Sequence, residues 1–340
     1  MRTLTITDTN VLKGIALLLL LCHHCFYPGQ PYDDIIIAGV PIIRSLAIFS
    51  KLCVAIFVFL SGYGLTIQTM KKGGIGNVLS FYCRRYVKLM INYWLIWLIF
   101  VPMGVFFFNR TFSLVYGEHY VLRAIGDFLG LYQAIYNQAG YNATWWFYSC
   151  IIVLYLLFPI VWRYHRFWFI LIPSAICIPA VTDFIPFFEA SGYGPYFISF
   201  VCGMSYAYLD PCQNIYGGGK FLLLTILIIA CFYRHFYPFY RCWDAAIVTM
   251  FVTLYCSVSF PNFLSKILAF LGKHSFNIFL FHTFIFAYYF KEYIYFSSNP
   301  ILIYLSLLVV CIPISMLIER IRMSLHINKL QDMVIKKLAS

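Results

Sequence analysis

Apolar runs of roughly twenty residues recur along the whole of this chain, separated by short clusters of lysine and arginine. A helix rises 1.5 Å per residue, so a run of about twenty crosses the roughly 30 Å hydrocarbon core of a bilayer. With 62% hydrophobic and only 11% charged residues, the 340-residue chain has too little polar surface for a soluble domain. It reads as an all-α polytopic integral membrane protein, a single transmembrane domain over residues 1–340.

The pattern predicts about ten transmembrane helices. They fall near 11–27, 47–70, 88–108, 144–162, 167–182, 193–209, 220–233, 244–258, 271–286 and 300–318. The membrane core then covers 11–319, and 320–340 is a basic tail. Asn10 is the expected N-cap of the first span, and Pro102 should kink the third. The apolar run 35–43, ending before Arg44, is too short to cross and should lie at the interface or re-enter.

The formal charge of +12 raises the question of nucleic acid, but the cations lie between apolar spans rather than in one basic surface. That is the positive-inside distribution of a membrane protein, and no nucleic-acid partner is expected. Lys71, Lys72, Arg84, Arg85 and Lys88 form the strongest cluster. They place that loop, both termini and the tail in the cytoplasm. The loop holding Arg234 and Arg241 then falls outside, a local exception to the rule. The long segment 109–143 is also outside. Its Tyr116, Tyr120, Tyr132, Tyr136 and Tyr141 suit either stacking on sugar rings or covering the membrane interface. Two N-x-T sequences begin at Asn109 and Asn142 in this region. The twelve cysteines are scattered through apolar segments and read as small buried hydrophobes, not as a disulfide framework.

The spans hold almost no acids, which argues against a carboxylate proton relay or cation pathway. Their unusual groups are Lys13 and His24 in the first span, eleven positions apart. On a helix that is about 16 Å along the axis and close to three whole turns, so the two side chains share a face. Lys13 at the interface is the bland reading, since long cations snorkel. Cys22-His23-His24-Cys25 invites a metal, but on one helix the two histidines point about 100° apart, so the four cannot converge and no metal is expected. Lys13 with Arg84, Arg85 and Lys88 forms an inner-side anion handle of the kind a nucleotide diphosphate needs. With His24 as a base deeper in the membrane, the set suits transfer from a long thioester such as acyl-CoA.

Five pieces in order carry a resemblance: Lys13 with His24; Phe57 to Leu65 (F-V-F-L-S-G-Y-G-L); Arg85-x-x-Lys88; Trp145, Trp146 and Pro159; and Leu271 to His282 (L-G-K-H-S-F-N-I-F-L-F-H). From Lys13 to about Glu319 the chain resembles the acyltransferase-3 family of integral-membrane acyltransferases, which commonly O-acetylate glycans. Lysine stands at 13 and 88 where arginine is commoner, and Asn10 where many members have aspartate. Lysine keeps the charge but loses the bidentate fork.

The resemblance implies acyl-CoA, by default acetyl-CoA, as co-substrate with no bound cofactor. It implies a hydroxyl acceptor on a cell-surface or exported glycan, and a place among the lipids of a bacterial plasma (inner) membrane. His24 would be the catalytic residue, as general base or transient acyl carrier. Lys13, Arg85, Lys88 and Arg84 would bind the acyl-CoA phosphates. His23, Ser61, Trp145, Trp146 and His282 are the candidates to line the site, with Asn277 a further polar possibility. Two other classes stand beside this one: a transporter or flippase of a polyanionic lipid-linked saccharide, and a non-catalytic membrane sensor with the same fold, in which His24 would be dispensable.

Overall fold

The computed structural model of the chain describes residues 4–164, 167, 194–209, 217–238 and 242–339. In order, its helices are α1 (Ile6–Cys25), α2 (Ile42–Ser50), α3 (Leu52–Lys71), α4 (Val78–Phe107), α5 (Phe112–Tyr116), α6 (Tyr120–Phe128), α7 (Tyr132–Tyr136) and α8 (Trp146–Arg163). Then follow α9 (Gly194–Leu209), α10 (Gly217–Phe236), α11 (Cys242–Ser257), α12 (Asn262–Thr283), α13 (Lys291–Ile294), α14 (Pro300–Ser324) and α15 (Ile327–Ala339). Among the described residues the strands are one hairpin, Ile36–Ile37 against Val40–Pro41.

Six described helical segments are long and apolar enough to cross a membrane: α1, α2 with α3, α4, α8 with its preceding turn, α10 and α14. Three more of the predicted spans are helical but shorter or more polar. α9 and α11 have 16 residues each, and the 22-residue α12 carries Lys266, Lys273, His274 and Asn277. Almost all of the predicted fifth span lies outside the described residues, as do Arg166 and Arg241.

Several element ends differ from the sequence expectation, and local hydrogen bonds give the reason. α1 is capped by Thr5 and not by Asn10, which lies inside the helix. The Thr5 hydroxyl accepts from the Asp8 amide (3.0 Å) and the Asp8 carboxylate accepts from the Thr5 amide (2.9 Å). This capping box satisfies two N-terminal donors at once. α4 begins at Val78, a full ten residues before the predicted third span, because the Asn77 side chain accepts from the Ser80 amide at 2.9 Å. Arg84, Arg85 and Lys88 therefore lie within α4 and not in the loop before it. Residues 35–43 turn back through the hairpin, with Ala38 and Gly39 at φ 49° and 80°. Asp34 then accepts from the Ile43 and Arg44 amides (2.9 and 3.1 Å) and caps α2, whose formal cap, Pro41, offers no side-chain acceptor. The basic tail divides: 320–324, with Arg320 and Arg322, complete α14, and Ile327–Ala339 form α15.

The chain divides into two compact units. The first comprises Met1–Gln30, Asp34–Gly74 and Ile160–Ser275. In it α1 packs on α2 and α3, α9 on α3 and α11, and α10 on α11. Glycines set two of its helix crossings. A side-chain carbon on Gly62 would overlap the Phe200 carbonyl of α9, and one on Gly203 would overlap the Phe59 carbonyl of α3. Gly14 and Gly272 are reciprocal in the same way, facing the Leu268 and Asn10 carbonyls, so α1 and the N-terminal part of α12 touch backbone to backbone. Close approach through small residues is how helices gain packing energy where lipid removes the hydrophobic driving force. Arg234 of α10 is buried, not in an outer loop, and its Nε donates to Asp244 of α11 at 2.7 Å. The Arg234 half of the local exception to the charge rule is thus an internal ion pair, while Arg241 lies outside the described residues.

The second unit comprises Pro31–Asp33, Ile75–Pro159 and Phe276–Ser340. Its segment 109–143 folds as α5, α6 and α7 around the buried carboxylate of Asp127. That carboxylate accepts from the Tyr116 hydroxyl (2.5 Å), the Tyr141 amide (2.7 Å) and the Tyr93 hydroxyl (3.3 Å). Burial outweighs these donors and raises the Asp127 carboxyl to about 6. Arg110 stacks on the Tyr141 and Tyr288 rings (5.1 and 3.9 Å) and donates to the Tyr141 carbonyl. Tyr116, Tyr132 and Tyr141 are buried, so of the five tyrosines expected to meet sugar or interface only Tyr120 and Tyr136 reach the surface. Asn142 is fully buried and donates to the Leu280 carbonyl, which closes the second N-x-T sequence to modification.

Candidate functional site

Lys13, His23 and His24 are carried by one unbroken helix, and this fixes their relation. α1 runs from Ile6 to Cys25 without interruption. Lys13 and His24 therefore stand about 16 Å apart along the axis on nearly the same side. Both are half-buried, as groups bordering a cleft or an interface are. Lys13 immediately precedes Gly14, where α1 meets the Leu268 carbonyl, and Lys273 follows Gly272, where α12 meets the Asn10 carbonyl. The backbone contact thus holds the first turns around Lys13 rigidly against the L-G-K-H segment of α12.

His23 and His24 close the same helix, with ring centroids 4.9 Å apart. Their roles diverge. His23 is buried and its Nδ1 lies 2.8 Å from the Ala47 carbonyl of α2. A carbonyl only accepts, so Nδ1 carries a proton. The Tyr27 ring packs on His23 at 5.2 Å. His23 is thereby locked between α1 and α2, while the half-buried His24 lies beside it at the helix C-terminus. The negative end of the helix dipole favours a positive charge formed there. Ser61 also lies in this unit, and its hydroxyl donates to the Phe57 carbonyl of its own helix at 2.9 Å.

The other predicted residues belong to the second unit. On α4, Arg84 and Arg85 are half-buried and Lys88 is exposed. Spaced at 84, 85 and 88, they occupy an arc of about 100°. Arg85 stands over the Phe81 ring at 5.4 Å and forms one wall of a 240 Å³ cleft with Tyr82, Tyr86, Leu89, Tyr155 and Leu156 of α4 and α8. Trp145 is buried: its Nε1 donates to the Leu280 carbonyl at 2.9 Å and its ring packs on Tyr93 at 4.7 Å. Trp146 is half-buried, with its ring edge toward Phe147. His282 is fully buried with Nδ1 within 3.0 Å of the Ile278 and Phe279 carbonyls, and its ring stacks on Phe286. It sits just before the π-helical turn Phe284–Tyr289, a feature frequent near functional sites. The Asn277 amide donates to Glu319 at 2.8 Å, so its donor is committed.

Some charged and polar partners were not singled out from the sequence. Asp8 accepts from the Tyr255 hydroxyl at 3.0 Å as well as capping α1. The Thr-x-x-Asp spacing at 5–8 was the available signal. Glu319, paired with Asn277 and 3.5 Å from Arg322, had no sequence signal beyond being an acid between the last apolar span and the basic tail.

Residues 6–320 match the acyltransferase-3 family model, described as an acyltransferase domain. The chain belongs to that family. Comparisons with curated proteins and with solved structures returned no match. The match begins at the first residue of α1 and ends just after Glu319, so it contains every candidate site residue described above. A membrane-embedded acyltransferase domain is the frame in which those residues are to be read.

Proposed function

We propose that this acyltransferase moves an acyl group, by default acetyl, from cytoplasmic acyl-CoA to a hydroxyl of a cell-surface or exported glycan. It works in the plasma membrane of a bacterium, with both chain termini in the cytoplasm. The observation that carries the site assignment is the single rigid helix with Lys13 at one level and His24 about 16 Å away near its C-terminus. A cation for the donor phosphates and a base for the acceptor are separated by much of the bilayer, which a donor and an acceptor arriving from opposite sides require.

In this reading the His24 imidazole takes the proton of the acceptor hydroxyl as its oxygen attacks the thioester carbonyl. The C–O ester bond forms, the C–S bond breaks, and the imidazolium returns the proton to the CoA thiolate. In the two-step variant a His24 nitrogen attacks the thioester carbonyl and expels the CoA thiolate; the acceptor oxygen then attacks the acyl-imidazole, the C–N bond breaks as the imidazole leaves, and the hydroxyl proton passes to the thiolate. The α1 C-terminus favours the cationic ring in the one-step path. His23, fixed on Ala47, packs against the His24 ring and holds its orientation. Lys13, Arg85, Lys88 and Arg84 bind phosphate. The arc formed by the three α4 cations is compact enough for them to share one diphosphate.

The test uses inside-out membrane vesicles given radiolabelled acetyl-CoA, comparing the natural protein with His24→Ala and Lys13→Ala at matched expression. Label should reach a membrane or lumenal glycan only where His24 is present. Lys13→Ala should be rescued by more acetyl-CoA. Equal transfer with and without His24 would remove the mechanism. Label trapped on the protein itself, released by neutral hydroxylamine and absent from His24→Ala, would favour the acyl-histidine path, since an N-acyl imidazole is an activated amide.

A further inference from the structure

The tail helix α15 has two apolar edges of different fate. At 100° per residue Ile327, Gln331 and Ile335 share one edge. Ile327 and Gln331 are buried, Ile335 is half-buried, and the helix packs along α4 of the same unit. Leu330, Met333 and Val334 form the neighbouring edge and are 51%, 60% and 36% exposed. Lys329 and Lys336 border that edge, Lys337 falls within it, and Asp332 is the one acid in the helix.

Position decides what covers such an edge. α14 has 25 residues, about 37 Å at 1.5 Å per residue, and so is long enough to reach the bilayer surface. Only Leu325 and His326 separate it from α15, with His326 at φ 52° turning the chain. α15 thus begins where a spanning helix leaves the hydrocarbon. A helix there with an uncovered apolar edge beside lysines has the make-up of one lying in the headgroup plane.

We propose that α15 is a membrane-surface helix that seats Leu330, Met333 and Val334 in an anionic lipid layer. Lys329 and Lys336 meet the lipid phosphates, and the opposite edge grips α4. The partner is a lipid surface of negative charge, not a protein. The helix links that surface to α4, the carrier of Arg84, Arg85 and Lys88.

The experiment places a fluorescent amino acid at position 333 of the full chain in nanodiscs. One set contains phosphatidylcholine alone and the other phosphatidylcholine with phosphatidylglycerol. Brominated lipid should quench the label and iodide in the water should not, most clearly with phosphatidylglycerol. Lys329→Gln with Lys336→Gln should lower the preference for the anionic discs about tenfold. Amide exchange over 327–339 in the unmodified chain should slow with phosphatidylglycerol, a readout independent of the label. Strong iodide quenching in both lipid sets would overturn the proposal. So would quenching by neither agent, which means protein covers the edge, or a lipid contact indifferent to phosphatidylglycerol and to the lysines.

Discussion

Arg234 grips Asp244 with two nitrogens, Nε to Oδ1 at 2.7 Å and Nη2 to Oδ2 at 3.3 Å, while both side chains are almost wholly buried. A third donor, Nη1, reaches the Ile48 carbonyl of α2 at 3.2 Å. The pair therefore joins α10, α11 and α2. Removing one member strands the other charge away from water, at a cost of about 3–5 kcal/mol. Arg234→Met and Asp244→Asn should each lower the melting temperature of the detergent-solubilised protein sharply. The double change Arg234→Met with Asp244→Leu should recover most of the loss, since the desolvation penalty of both ions is lifted together. Single variants that melt like the natural protein would show that the pair contributes little.

The F-V-F-L-S-G-Y-G-L segment holds two glycines in unlike surroundings. A carbon added at Gly62 meets the Phe200 carbonyl, whereas one added at Gly64 meets nothing within 4 Å. Gly62→Ala should destabilise by about 1–3 kcal/mol through overpacking. Gly64→Ala should be neutral or stabilising by up to about 1 kcal/mol, because alanine is the better helix former. Thermal unfolding of the two variants side by side decides it. Equal effects at both positions would mean that α3 and α9 do not touch at Gly62.

What the sequence revealed, and what it hid, divides along physical lines. The membrane class was legible because apolar runs of spanning length have few other uses. The importance of 57–65 and 271–282 was legible as motif, but the reason was not. Gly62 meeting Phe200 and Gly272 meeting Asn10 are contacts between residues more than a hundred positions apart. The early start of α4 was missed because Arg84 and Arg85, counted with the cationic cluster, made 78–87 read as a cytoplasmic loop, while its Asn77 cap lay in plain view. Arg234 looked like a topology error because its partner sits on the next helix, and nothing in a linear charge count pairs them. The tyrosines of 109–143 looked like either a sugar-stacking surface or a cover for the membrane interface. Their inward packing depends on Asp127, whose burial no local pattern announces.

Asp127 makes that packing depend on pH. Its carboxyl stands at about 6 in the folded protein against an ordinary 3.8, because burial penalises the charged form. A folded value raised above the unfolded one means stability that is fully present below about 4 and is lost as pH rises through about 6. The gap corresponds to roughly 3 kcal/mol. The melting temperature of the natural protein should therefore fall between pH 4 and 6 relative to Asp127→Asn, which cannot ionise. Parallel pH curves for the two proteins would show that the Tyr116 hydroxyl and Tyr141 amide hold the carboxylate charged throughout.

The two adjacent histidines should separate cleanly in kinetics. His24→Ala should lower acyl transfer by about a hundredfold to ten-thousandfold, the range lost with a general base, and His24→Asn should not restore it. In the proposed mechanism His23 acts through its neighbour, so the donor it presents to Ala47 should matter and its basicity should not. An asparagine amide lies close to where Nδ1 does and can still donate to that carbonyl. His23→Asn should keep most of the activity. His23→Leu, which fills the space but donates nothing, should lower kcat about tenfold with KM for acyl-CoA unchanged, as a misplaced catalytic group does. If His23→Asn is as inactive as His24→Ala, the chemistry belongs to His23, and the half-buried ring beside it is the positioning residue instead.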